Sequence, residues 1–76
     1  MSFQAYLDTI ERNTGKTPAD FRALAASCGL TSEGGIVPGV KATEVTDWLK
    51  ADFGLGHGHA MAIYALLKGM KKEGDA

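Results

Sequence analysis

Glycine and proline divide this chain into four short segments that each have the hydrophobic spacing of an amphipathic helix. The clearest start is Thr17-Pro18-Ala19-Asp20, where threonine can cap, proline suits the first helical position and aspartate can reach back to a free amide. Stops follow at Thr14-Gly15, at Gly29-Leu30 and at Gly54-Leu55. We therefore predict an all-α fold, a compact bundle of four short helices at about residues 2–14, 17–28, 42–53 and 57–69.

The small size of the chain limits the core that it can bury. At 76 residues, with 45% hydrophobic and 22% charged, the chain has the composition of a globular protein but room for only one thin core. We expect a single helical domain over residues 1–70 and a flexible polar tail over residues 71–76. Self-association as a homodimer would help to offset the entropy of ordering the chain, so both monomer and homodimer stay open.

Charge and cysteine content exclude several function classes. Eight basic and nine acidic residues are scattered through the chain and give a net charge of −1, so any anion site must be local. Cys28 is the single cysteine, which excludes an internal disulfide and suits a reducing compartment. We expect neither export nor membrane insertion, because Met1 to Tyr6 lack a charged leader followed by an apolar run and no apolar stretch is long enough to cross a bilayer. We therefore predict a cytoplasmic protein without a membrane association.

The helical segments also predict which residues are buried. Helix four is apolar from Ala60 to Leu67, which favours either the central helix of the bundle or one half of a dimer contact. Cys28 is expected to be a small core residue at the end of the stripe on helix two. That stripe contains Phe21, Leu24, Ala25 and Cys28. Helix three is expected to bury Val45, Trp48, Leu49 and Phe53.

The segment from Thr31 to Val40 carries three glycines and a proline, which predicts a glycine-rich surface loop between helices two and three. We expect Ile36, Val37 and Val40 to pin parts of this loop to the core. Because no other segment has the character of a strand, we expect no strand pairing here.

The most unusual stretch is the hairpin 54–59, Gly54-Leu55-Gly56-His57-Gly58-His59, which joins the last two helices. Glycine lets the backbone approach a ligand, and the first amides of a helix have no partner within it. Together with the positive end of the helix dipole, these amides favour phosphate or carboxylate binding. The alternative is that Gly54 only ends helix three, while Gly56 and Gly58 only permit a tight turn. The candidate anion- or partner-binding residues are Gly54, Gly56, His57, Gly58, His59 and Lys50.

A nucleic-acid alternative follows from the same hairpin. Gly54-Leu55-Gly56, followed by Ala60 and Ile63, resembles the helix-hairpin-helix pattern, which grips backbone phosphate without base readout. Phe53 stands where that pattern often has proline, and acidic Asp47 and Asp52 flank the hairpin. The lysines that could add positive charge are Lys50, Lys68, Lys71 and Lys72, although lysines in a last helical turn are also ordinary dipole partners.

The two histidines raise a metal-dependent enzyme as a second alternative. His57 and His59 lie two residues apart and cannot share one helical face, and a zinc site would need Cys28 or carboxylates from elsewhere. The simpler interpretation is that one histidine caps helix four or packs on Trp48 while the other is solvated. No arrangement of serine, histidine and acid stands out, so we expect no enzyme, no metal and no cofactor.

The whole chain resembles a bacterial family of short helical domains of unknown function, DUF4287. Three blocks carry the resemblance, Phe3-Gln4-Ala5-Tyr6, Thr14-Gly15-Lys16-Thr17-Pro18 and Trp48-Leu49-Lys50-Ala51-Asp52-Phe53-Gly54-Leu55-Gly56-His57-Gly58-His59-Ala60-Met61-Ala62. The resemblance implies a compact helical module but no activity or cofactor. We therefore expect a small binding or interaction module for an unknown protein partner or an anionic ligand.

Overall fold

The computed structural model describes residues 3–32 and 35–71, and this part of the chain contains four α-helices. The helices are α1 (Phe3–Thr14), α2 (Pro18–Ser27), α3 (Ala42–Phe53) and α4 (His57–Lys68), with two short strands, β1 (Thr31–Ser32) and β2 (Gly35–Ile36), between α2 and α3. The predicted all-α bundle is thus confirmed, with α3 at the predicted residues. The Ser2 end of helix one and residues 72–76 of the predicted tail lie outside the described residues.

Helix α2 begins with the capping arrangement that the sequence predicts. The N–H of Asp20 donates to the Thr17 hydroxyl at 3.2 Å, and the N–H of Thr17 donates to the Asp20 carboxylate at 2.9 Å. Pro18 occupies the first turn, where its missing N–H costs no helical hydrogen bond. The backbone N–H of Thr17, and then its hydroxyl, hold the pKa of Asp20 below its ordinary value.

Removing this cap should lower stability in a pH-dependent way. Thr17→Ala is expected to reduce the free energy of unfolding by about 1 kcal/mol, measured by urea unfolding near neutral pH. Because folding lowers the pKa of Asp20, its stabilising contribution is present above the ordinary carboxyl pKa and is lost as pH falls through the lower folded value. The difference between wild type and Asp20→Asn should therefore shrink in acid. A difference that stays constant down to strongly acidic pH would contradict this account.

The glycine-rich loop contains a small β-ladder, so the expectation that it has no strand partner was wrong. Strands β1 and β2 pair antiparallel, with Thr31 opposite Ile36, and the Val37 N–H donates to the Leu30 carbonyl at 3.0 Å. The loop supplies its own partner by folding back on itself, which satisfies backbone groups beside the core. Ile36 and Val40 pack against the core as predicted.

Helix α4 is the central element of the bundle, which confirms the first of the two interpretations of its apolar sequence. It packs against α1, α2, α3 and β2. Its buried side chains are Ala60, Ala62, Ile63, Leu66 and Leu67, and they meet Phe3, Leu7 and Ile10 of α1, Phe21 and Ala25 of α2, Val45 and Leu49 of α3, and Leu55 in one cluster. The small alanines let neighbouring helices approach closely. No helix among the described residues has the length and apolarity to cross a membrane.

Several predicted core positions are less buried than expected. Cys28 is exposed rather than buried, because it is the C-cap residue of α2, beyond the last turn that faces the core. Trp48 and Phe53 are half-buried and pack edge-on against each other, with ring centroids 5.3 Å apart. Thr46 takes a buried place that the sequence did not predict, and its hydroxyl donates to the Thr43 carbonyl at 3.3 Å.

Candidate functional site

The hairpin 54–59 turns the chain from α3 into α4 in three steps. Gly54 ends α3 in the left-handed region with φ +67°, and its N–H donates to the Lys50 carbonyl at 3.1 Å. Glycine is required here because other residues are strained at this angle. Leu55 then places its side chain in the core, only 7% exposed, and Gly56 returns to extended backbone as the N-cap of α4. The buried leucine anchors the hairpin, while the glycines on either side stay exposed.

The first amides of α4 point out of the helix end at the surface. The Ala60 N–H donates to the Gly56 carbonyl at 2.8 Å and is the first to close a helical turn. The N–H groups of His57, Gly58 and His59 precede it, and no side chain caps the helix at Gly56. Gly56, His57 and Gly58 are exposed, and a Cβ at Gly56 or Gly58 would meet nothing within 4 Å. The positive end of the helix dipole adds to this donor group.

The two histidines have different surroundings. His57 is exposed, whereas His59 is half-buried and its ring meets Tyr6 of α1 edge-on, with centroids 5.5 Å apart at 75°. The expectation that one histidine caps α4 or packs on Trp48 was wrong. Trp48 packs on Phe53 instead, and the histidine that is held lies on the α1 side of α4 because α1 packs along that helix.

Only part of the predicted positive charge lies near the hairpin. Lys50 belongs to the last turn of α3 and its side chain is exposed beside the hairpin. Lys68 ends α4, about 16 Å along the helix from His57, and its ammonium lies 5.7 Å from the Tyr64 ring centroid. The interpretation that Lys68 adds charge at the hairpin was therefore wrong. Lys72 lies outside the described residues.

The metal interpretation finds no cluster to build on in the described part of the chain. No three of its His, Cys, Asp or Glu side chains lie close enough together to hold a metal ion. Cys28, which the sequence offered as a further ligand, is at the C-cap of α2.

A groove beside the hairpin was not predicted from the sequence. It lies between α1 and α4, has a volume of about 320 Å³ and is mainly apolar. It is lined by Phe3 and Tyr6 from α1, by Gly58, Met61, Ala62 and Ala65 from α4, and by Lys71. A signal was present, because residues 58, 61, 62 and 65 recur at the three- and four-residue spacing of one helical face. The face that closes the groove comes from α1, which only tertiary packing brings alongside.

Comparison with known proteins gives a family but no activity. The family model described as "Domain of unknown function (DUF4287)" matches residues 2–69. No curated protein and no solved structure matches the chain. What the hairpin and the groove can do therefore has to be argued from their geometry.

Proposed function

Because this chain belongs to the DUF4287 family, whose function is unknown, we propose its role from its own geometry: it is a small binding module whose hairpin 54–59 holds an anionic group of a ligand or partner. The single observation that supports this is the start of α4, which has no side-chain cap and begins at exposed residues. Oxygen acceptors of phosphate or carboxylate match this group of donors.

The ligand oxygen would take the place of a missing capping side chain. At most helix starts a Ser, Thr, Asp or Asn at the N-cap accepts from the second or third amide of the helix. Here Gly56 holds the ordinary extended N-cap conformation, φ −72° and ψ 168°, but has no oxygen to offer. The second and third amides belong to Gly58 and His59, so an anion in front of them, within reach of the His57 N–H as well, would complete the cap. Lys50 adds an exposed positive charge on the adjoining helix end.

Two substitutions at residue 57 distinguish the contribution of the backbone N–H to anion binding from that of the imidazole ring. His57→Pro removes the first amide of α4, where proline is tolerated, and the extended ψ of Gly56 is what a residue before proline requires. His57→Ala removes only the ring. In an amide-resolved NMR titration with inorganic phosphate, we expect saturable shifts at residues 54–59 in wild type and His57→Ala. In His57→Pro we expect phosphate binding to weaken by about tenfold, because one charge-assisted hydrogen bond is lost.

Other results of this titration would contradict the proposed backbone anion site. If phosphate shifts none of the amides at 54–59, the glycines serve only the turn and the proposed anion site is wrong. If His57→Ala weakens binding as much as His57→Pro, the ring rather than the backbone is the donor. A parallel titration with zinc tests the enzyme alternative, because saturable shifts that disappear in a His57→Ala, His59→Ala variant would assign a metal site instead.

A second candidate function is sequence-independent binding to nucleic-acid backbone. The burial of three side chains at and after the hairpin favours it. Leu55, Ala60 and Ile63 are 7%, 0% and 0% exposed and belong to the hydrophobic core. These are the positions at which the sequence resembles a helix-hairpin-helix. The phosphate would contact the same exposed amides.

Salt dependence tests this second candidate. One hairpin contacts few phosphates, so log K for a short DNA duplex should fall against log salt with a slope of about −1 to −2 in a fluorescence anisotropy titration. Duplex binding that does not change with salt, or no binding at low salt, would contradict it. His57→Ala serves as the control that keeps the backbone donor.

A further inference from the structure

We draw no further inference here: the strongest candidate, the apolar groove between α1 and α4 that Tyr6, Met61 and Ala65 help to line, carries none because nothing in the structure shows what covers it.

Discussion

Replacing Ile63 by alanine is expected to leave most of the chain unfolded at 25 °C. Ile63 is fully buried in the middle of α4, the helix that α1, α2 and α3 pack against. Truncation of a buried isoleucine costs about 2–5 kcal/mol through lost burial and the remaining cavity. A single thin core of this size supplies only about 3–5 kcal/mol in total. Circular dichroism at 222 nm with urea unfolding measures the loss.

The matched control for this prediction lies two residues earlier on the same helix. Met61→Ala removes a side chain of similar size from an exposed position, so the free energy of unfolding should change by about 0.5 kcal/mol or less. Equal effects of Met61→Ala and Ile63→Ala would mean that α4 is not the centre of the core.

The helix boundaries could be predicted because they are set by short local signals. The cap of α2 needs only Thr17, Pro18 and Asp20, and all three act as the sequence indicated. The left-handed stop at Gly54 is equally local, since it depends on a glycine at one position of the backbone. Chemistry within one turn of the chain is visible in the sequence without knowledge of the rest of the fold.

Burial was harder to predict because it depends on which neighbours cover a helical face. Cys28 continues the stripe of Phe21 and Ala25, yet it follows the last turn of α2 and is exposed. Trp48 has the periodicity of a core residue but lies at the edge, against Phe53. The β1–β2 ladder was not predicted because strands of two residues are too short to show the alternating pattern of a strand.

The candidate site also has one part that could be predicted from the sequence and one part that could not. The start of α4 at His57, behind an N-cap glycine, follows from the local glycine sequence and was predicted. The contact of His59 with Tyr6, and the groove that continues from it, join residues more than fifty positions apart. No periodicity in α4 alone indicates that α1 is the helix lying beside it, so this half of the site required the structure.

Gly56→Asp is expected to weaken phosphate binding at the hairpin at least tenfold while raising stability. Gly56 already has the extended N-cap conformation, and a Cβ there would meet no atom within 4 Å. An aspartate oxygen would therefore accept from the amides of Gly58 or His59, as N-cap residues usually do. Its charge also interacts favourably with the helix dipole, by about 0.3–1 kcal/mol. A gain of this size should raise Tm by about 1–8 °C for a domain of this length.

The opposite signs of these two effects distinguish a binding site from a turn. At φ −72° any residue is allowed, so the backbone conformation alone does not require glycine at position 56, in contrast to Gly54. If the amides bind an anion, Gly56→Asp should weaken phosphate binding at least tenfold, because the aspartate occupies the amides and repels the phosphate. Gly56→Ala brings no acceptor, so it should bind phosphate like wild type and be slightly less stable. NMR titration and thermal unfolding of the three proteins measure both quantities. Unchanged phosphate affinity in Gly56→Asp would show that the anion binds elsewhere, because a filled cap leaves these amides nothing to donate.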